Sequence, residues 1–573
     1  KKGEEPKMTS MADYYLSKYN YKIMHHVQPL AEQVEVKRGF NGKKISQTTH
    51  FPIELLYILG KLDEDSFDLA KSAIVPPQAK FEKTHILMKE LKSLFNEQSI
   101  LDKNSEEVKR RGNPVVKKTH INFNLKVIKS GILQAPDIEL GEGKIIKPNT
   151  ETGVFDIKNS TPLENQQLKS WIIFVFDAFE DEVNKIADCF NQAKIALGLN
   201  FEEPLMHTID SRKCDRDCFE EYVKSYITEY RDYCKKNDKP VPEVAMLIIS
   251  KRKEGIYSYF KNALNSITDF TIRSQVVKKE SILKKGLTVA GNILLQIWAK
   301  RDLPLWRSKN LKKICKNTMI AGYSVASSGR KKCSITSLCA TVSSDYVNFV
   351  NFCRFHENTN KLTPKLGEIL DNAVEYYEKL NGKKPSKILL YREGSNERQR
   401  EKIVKLEIME SVKKVPRIKD IPITLIFVNK QCDIRFFRDE KELDRMNQTN
   451  MDMTCLEKTQ LSMNENFIYT NAKPGSVIES GVTLFGNNEF YVISSYSQRG
   501  TCNPTHYYVE LDEAQFDKQT LYKVTYDLTY LYFNNQKCIR TPVPLHNAMR
   551  MSAMASKHLT ESYIGKANYN FGY

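Results

Sequence analysis

Short apolar runs alternating with helix-patterned stretches constrain this chain more than any other feature. From Trp171 onward, SWIIFVFDAF, EVAMLIIS (Glu243 to Ser250) and IRSQVV (Ile272 to Val277) are strand-like and are separated by segments of helical period. A second series begins after Leu311 with TMIAGYSV (Thr318 to Val325), SITSLCATV (Ser334 to Val342), KILLYRE (Lys387 to Glu393), ITLIFVN (Ile423 to Asn429), FYVISSY (Phe490 to Tyr496) and HYYVELD (His506 to Asp512). Runs of four to eight apolar residues with helices between them pack as α/β layers around a mostly parallel sheet. At 573 residues the chain exceeds what one hydrophobic core organises, so three or four domains are expected.

The helix between two of these strands can be read in detail. Thr363-Pro364 opens it, Leu366, Ile369, Leu370, Ala373, Val374 and Tyr377 repeat at 3.6 spacing, and Asn381-Gly382 closes it. Ahead of Trp171 the pattern is looser. Residues 1–45 read as the helical and extended tail of a domain, a helical pattern runs from Asp63 to about Phe95, and HINFNLKVI (His120 to Ile128) alternates as a half-exposed strand does.

Eighty-seven Lys and Arg stand against 70 Asp and Glu, a surplus of +17 that points to a polyanionic partner, nucleic acid first, and argues against acidic substrates. Twelve cysteines are scattered, and Cys214-x-x-x-Cys218 lacks a second pair at zinc spacing, so they read as reduced thiols. No apolar run reaches membrane-spanning length, so no membrane partner is expected; cytoplasm and nucleus are both allowed and the sequence does not determine the compartment.

Two places carry the polar chemistry. The strand KILLYRE delivers Glu393 at its end, just before Gly394, where open α/β sheets keep their reactive groups. The stretch Ser250 to Gly286 holds nine Lys and Arg and three acids. Within it Tyr257 and Lys261 are four apart on one helix face, and Asn292, Gln296 and Lys300 are spaced likewise on the apolar helix LTVAGNILLQIWAK. A phosphate flanked by a stacking aromatic, ammonium groups and amide donors would satisfy them. A solvated lysine face with a satisfied core amide at Gln296 is the alternative.

The ordered set of YYLSKYNYKIMHHVQPL, FPIELLYILG, IYSYFK, SQVV, ILLQIWAK, ILLYREGSNERQ, VNKQCDIRFF, PGSVIE, RGTCNPTHYYV and TPVPLHNA resembles the Argonaute superfamily, and within it the Piwi clade. The resemblance implies a multidomain α/β fold: the end of a PAZ domain (1–45), an α+β second linker (46–165), a Rossmann-like MID domain (166–310) and a ribonuclease H-like PIWI domain (311–573). It places a guide 5′-phosphate site on Tyr257, Lys261, Gln275, Gln296 and Lys300, with Tyr257 stacking on the first base. Gln296 in place of Lys resembles the Piwi-type pocket, in which Mg²⁺ helps neutralise the phosphate and the terminal carboxylate, here of Tyr573, lies nearby. Val276 stands where the family often has Cys.

The same resemblance denies the chain a cleavage site. Two-metal cleavage needs several acidic ligands around ions about 4 Å apart. The family's Asp, Glu, Asp, His-or-Asp positions fall on Ser324, near Lys361 with Glu357 the nearest spare acid, on Glu393, and on Met549, so no catalytic metal is expected. The function implied is small-RNA-guided binding: a 5′-phosphorylated guide RNA, a target RNA and effector proteins as partners, and no slicing. A guide-directed endonuclease with a rearranged site and an RNA-free adaptor are the rivals.

Overall fold

The computed structural model describes residues 9–24, 30–38, 44–55, 74–101, 128, 130–176, 180–209, 216–250, 256–267, 270, 272–328, 333–357, 361–394, 397–439, 469–483 and 488–558. The chain divides into two compact units, Lys1–Ile74 and Val75–Tyr573. In the first, Ser10 caps the helix Met11–Tyr19 by accepting from the Asp13 N–H, and Leu30–Arg38 pairs antiparallel with Lys44–Pro52. The expected division at residue 45 falls inside that second strand. Of the sequence expectations, the run HINFNLKVI lies almost wholly outside the described residues; the helical pattern from Asp63 to about Phe95 lies outside them up to residue 73, and its later part falls in the helix Pro77–Leu101 of the second unit.

Within the second unit, residues 166–310 form a parallel sheet. Its strands are β1 (Trp171–Phe176), β2 (Leu205–Ile209), β3 (Val244–Ile249) and β4 (Arg273–Lys278), in the order β2-β1-β3-β4. Four helices connect and flank them: α1 (Glu180–Ala196), α2 (Arg216–Lys236), α3 (Ile256–Asn265) and α4 (Lys279–Lys300). Every residue of β1 and β3 is buried, which is why both read as continuous apolar runs and show no alternation.

The remaining strands build a nine-stranded mixed sheet. It contains β5 (Thr318–Ser328), β6 (Cys333–Thr341), β7 (Phe349–Glu357), β8 (Lys387–Glu393), β9 (Ile423–Asn429), β10 (Ser476–Ile478), β11 (Glu489–Ile493) and β12 (Thr505–Asp512). The order is β7-β6-β5-β8-β9-β12-β11-β10, with Gly131–Ile132 added beyond β10. Only β5-β8-β9 are parallel; the flanking pairs are antiparallel. The strand at Gly131 is a finding that the sequence did not announce, because two residues are too few to show a period of two.

Helix α5 (Leu366–Asn381) buries the six apolar residues expected of it, and Gly382 ends it at φ 68°. Past α6 (Glu397–Ile403) and α7 (Lys518–Asp527), α8 (Val543–His558) lies directly on β5. Gly322 permits this approach, since a Cβ there would collide with the Leu545 backbone. One buried cluster runs from Trp171 and Trp298 to Trp306, Tyr391 and Tyr530, so the two sheets share a continuous core. At its centre the Trp306 indole N–H donates to the Tyr530 carbonyl at 2.9 Å.

Candidate functional site

The polar residues singled out around the first sheet come together on α3, β4 and the end of α4. Lys261 Nζ donates to Ser274 Oγ at 2.5 Å and to the Ser274 carbonyl at 3.4 Å. Lys300 Nζ donates to the same carbonyl and to Gln275 Oε1, both at 2.6 Å. Gln275 Nε2 in turn donates to Gln296 Oε1 at 3.1 Å. The Lys261 ammonium also lies 5.6 Å from the centre of the Tyr257 ring. Helical spacing explains part of this, because Tyr257 and Lys261 are one turn apart, as are Gln296 and Lys300. The rest comes from β4 passing between the two helices.

The electrostatics of the cluster are lopsided. Burial pushes the Lys261 ammonium down to about 8. Lys300 is held well below its ordinary value by burial first, and then by the positive charges of Lys261 and Arg550. Among the described residues neither ammonium pairs with a carboxylate. Two desolvated cations side by side are unfavourable unless an anion joins them.

Sequence reasoning missed two members. Ser274 holds both ammoniums, and only its position beside Gln275 hinted at that. Arg550 on α8, nearly three hundred residues from α3, donates to the Tyr532 hydroxyl, and its charge acts on Lys300 and on the Tyr257 phenol. Gln296 is half-buried, and its Oε1 accepts from Gln275 of the cluster. Tyr573 lies outside the described residues.

The second place is the end of β8. Ser324 Oγ donates to Glu393 Oε2 at 2.6 Å and lies 3.1 Å from Ser552 Oγ, which donates to the Met549 carbonyl at 3.1 Å. Lys430 joins from the residue after β9, its ammonium lowered by burial while the Glu393 charge opposes that shift. Gly394 leaves room for the Asn429 side chain, which a Cβ there would displace. Lys361 sits apart on an exposed turn at φ 67°, with its carbonyl held by Arg392 Nη2 at 2.7 Å. Glu357 is exposed at the end of β7.

These donors do not fit a pair of divalent cations. Among the described residues, one carboxylate, two hydroxyls and a nearby ammonium offer too little negative charge for hard cations, which take oxygen ligands and above all carboxylates. Behind them Arg392 and Glu407 form a buried ion pair at 3.0 Å, and Glu407 also accepts from Tyr323 OH at 2.7 Å and from the Thr363 N–H at 2.9 Å.

A family model for the Piwi domain matches residues 244–560, more than half of the chain. The chain belongs to the Piwi family. This Piwi-family chain is 23% identical over 543 residues to Protein argonaute-3 of Drosophila melanogaster, covering 93% of this chain and 56% of that protein. It therefore spans just over half the length of that relative. Its fold matches Kluyveromyces polysporus Argonaute with a guide RNA at a TM-score of 0.67 and 18% identity, over 96% of this chain and 60% of the other. Drosophila Piwi matches at 0.61 and 18% identity, over 98% and 68%. The mixed nine-stranded sheet thus has the ribonuclease H-like form expected from the sequence. Among the described residues no helix is long and apolar enough to cross a membrane.

Proposed function

We propose that this chain anchors the 5′-phosphate of a small guide RNA and presents the guide to a target RNA without cutting it. The observation that carries the reading is that the buried amino groups of Lys261 and Lys300 meet at Ser274 and Gln275 with no carboxylate partner among the described residues. A phosphate there supplies the missing anion and accepts charge-assisted hydrogen bonds, while the Tyr257 ring offers a face for the first base. Base pairing would then choose the target, with the protein contacting mostly backbone. The region 166–310 acts as the MID domain and 311–573 as the PIWI domain in this reading, and effector proteins supply any later step.

The described atoms of the cluster do not by themselves fit a resident divalent ion beside the phosphate, and Tyr573, whose carboxylate the resemblance would place there, lies outside the described residues. Gln275 Oε1 is taken by Lys300 and Gln296 Oε1 by Gln275, and the surrounding charge is positive.

The test is paired. Binding of a 5′-phosphorylated RNA is compared with that of the same RNA ending in 5′-hydroxyl, and the loaded protein is then given a labelled complementary RNA with Mg²⁺ or Mn²⁺. Preference for the phosphate with an intact target supports the reading. Equal binding of the two guides overturns the anchor, and a discrete cut in the target overturns the non-cutting assignment.

A further inference from the structure

Three consecutive residues of β4 hold Lys300 at both of its ends. Its ammonium donates to the Ser274 carbonyl and to Gln275 Oε1, while its own carbonyl accepts from Arg273 Nε at 2.7 Å. Lys300 is the last residue of α4, where a helix leaves its carbonyls without intrahelical partners. A guanidinium there satisfies one of them and brings the positive charge that a helix C-terminus favours.

The spacing of strand and helix makes the double hold possible. Side chains two apart on a strand share a face and stand about 6.6 Å apart, close to the axial rise of about 6 Å between helix residues four apart. Arg273 and Gln275 therefore meet Lys300 and Gln296 in register. Arg273 is fixed in turn. Its Nη2 donates to Asp302 Oδ2 at 2.9 Å, and the Asp302 carbonyl accepts from Asn348 Nδ2 at 3.4 Å, just before β7. Arg273, Asp302 and Asn348 all line a cavity of about 380 Å³.

We infer, on the reading that Lys261 and Lys300 anchor the guide 5′-phosphate, that Arg273 is a positioning residue for that anchor. It holds the end of α4 so that the Lys300 ammonium is in place before the guide arrives, and Asp302 keeps the guanidinium on the Lys300 carbonyl. A lysine side chain is costly to immobilise, and one pinned beforehand does not add that cost to the binding step. The phosphate meets Lys300, and Arg273 acts through it.

Filter binding of the full chain with 5′-phosphorylated and 5′-hydroxyl RNA of one sequence tests this, using two variants that change the charge in opposite directions. Arg273→Ala should weaken the phosphorylated guide about tenfold. Asp302→Gly should weaken it about threefold, and the hydroxyl guide should be unchanged in both. Asp302 sits at φ 62°, which glycine adopts without strain, and its side chain is 62% exposed, so this variant serves should Arg273→Ala fail to fold. Charge acting through space alone predicts the opposite sign for Asp302→Gly, since loss of a negative charge then tightens phosphate binding. In a Lys300→Ala background Arg273→Ala should cost nothing further, because the group it positions is gone. Tighter or unchanged phosphate binding by Asp302→Gly, an equal loss of both guides in that variant, or a full additional loss from Arg273→Ala in the absence of the Lys300 side chain overturns the inference and leaves the anchor reading standing. Equal binding of the two guides by the unmodified chain overturns the anchor reading and this inference with it.

Discussion

The Ser324 hydroxyl donates a 2.6 Å hydrogen bond to Glu393 Oε2 on the adjacent parallel strand. A serine in that place gives the carboxylate a donor, whereas an aspartate would face it with a second negative charge. Ser324 is 2% exposed, so the difference is felt in low dielectric.

Ser324→Asp is accordingly expected to destabilise the protein by about 3 kcal/mol in EDTA, and by less when Mg²⁺ is added. Urea denaturation in both buffers measures it. An unchanged midpoint in EDTA would show that the two side chains are not in contact. Target cleavage should not appear, because Met549 still supplies no hard ligand.

Removing the ammoniums tests the phosphate anchor. Lys261→Ala with Lys300→Ala should lower affinity for a 5′-phosphorylated guide by about a hundredfold or more, since each charge-assisted bond contributes about 1.5–3 kcal/mol. The same variant should bind a 5′-hydroxyl guide almost as before. Filter binding with the two guides reads the difference, and an equal loss for both would point to misfolding.

Protonation gives a third expectation, with its direction set by the lowered Lys261 value of about 8 against an ordinary 10.5. Between those values the unfolded chain holds the proton and the folded guide-free chain does not. Stability without guide should therefore rise with pH across that window. Guide binding runs the other way, because the phosphate requires the ammonium and binding takes up a proton. Affinity for the 5′-phosphorylated guide should fall as pH rises above about 8, and the 5′-hydroxyl guide should show a flatter profile. Parallel profiles for the two guides would remove Lys261 from the site.

Glu407 anchors the floor beneath β8. It is fully buried and takes hydrogen bonds from Arg392, Tyr323 and the Thr363 backbone. Glu407→Ala leaves the Arg392 guanidinium buried without its counter-charge and should cost about 3–5 kcal/mol. Chemical denaturation measures the loss, and amide exchange at Thr363 should quicken. A small loss with unchanged exchange would mean that water replaces the carboxylate.

Much of the fold was legible. The strands at Lys387–Glu393 and Ile423–Asn429 match their apolar runs residue for residue, and α5 buries the residues its period picked out. The pairing partners were not legible, since an apolar run says that a strand is buried and leaves open which neighbour it finds. The short strand at Gly131–Ile132 carries no periodic signal at all.

By itself the sequence determined the order of elements and which side chains share a face, because helices and strands impose periods of 3.6 and 2 on side-chain direction. That was enough to group Tyr257 with Lys261 and Gln296 with Lys300. Only the tertiary structure decided that Ser274 stands between the two ammoniums, that the Arg550 charge on α8 acts on Lys300, and that Ser324 donates to Glu393. Those contacts depend on how sheets and helices pack across hundreds of residues, and no local period encodes that.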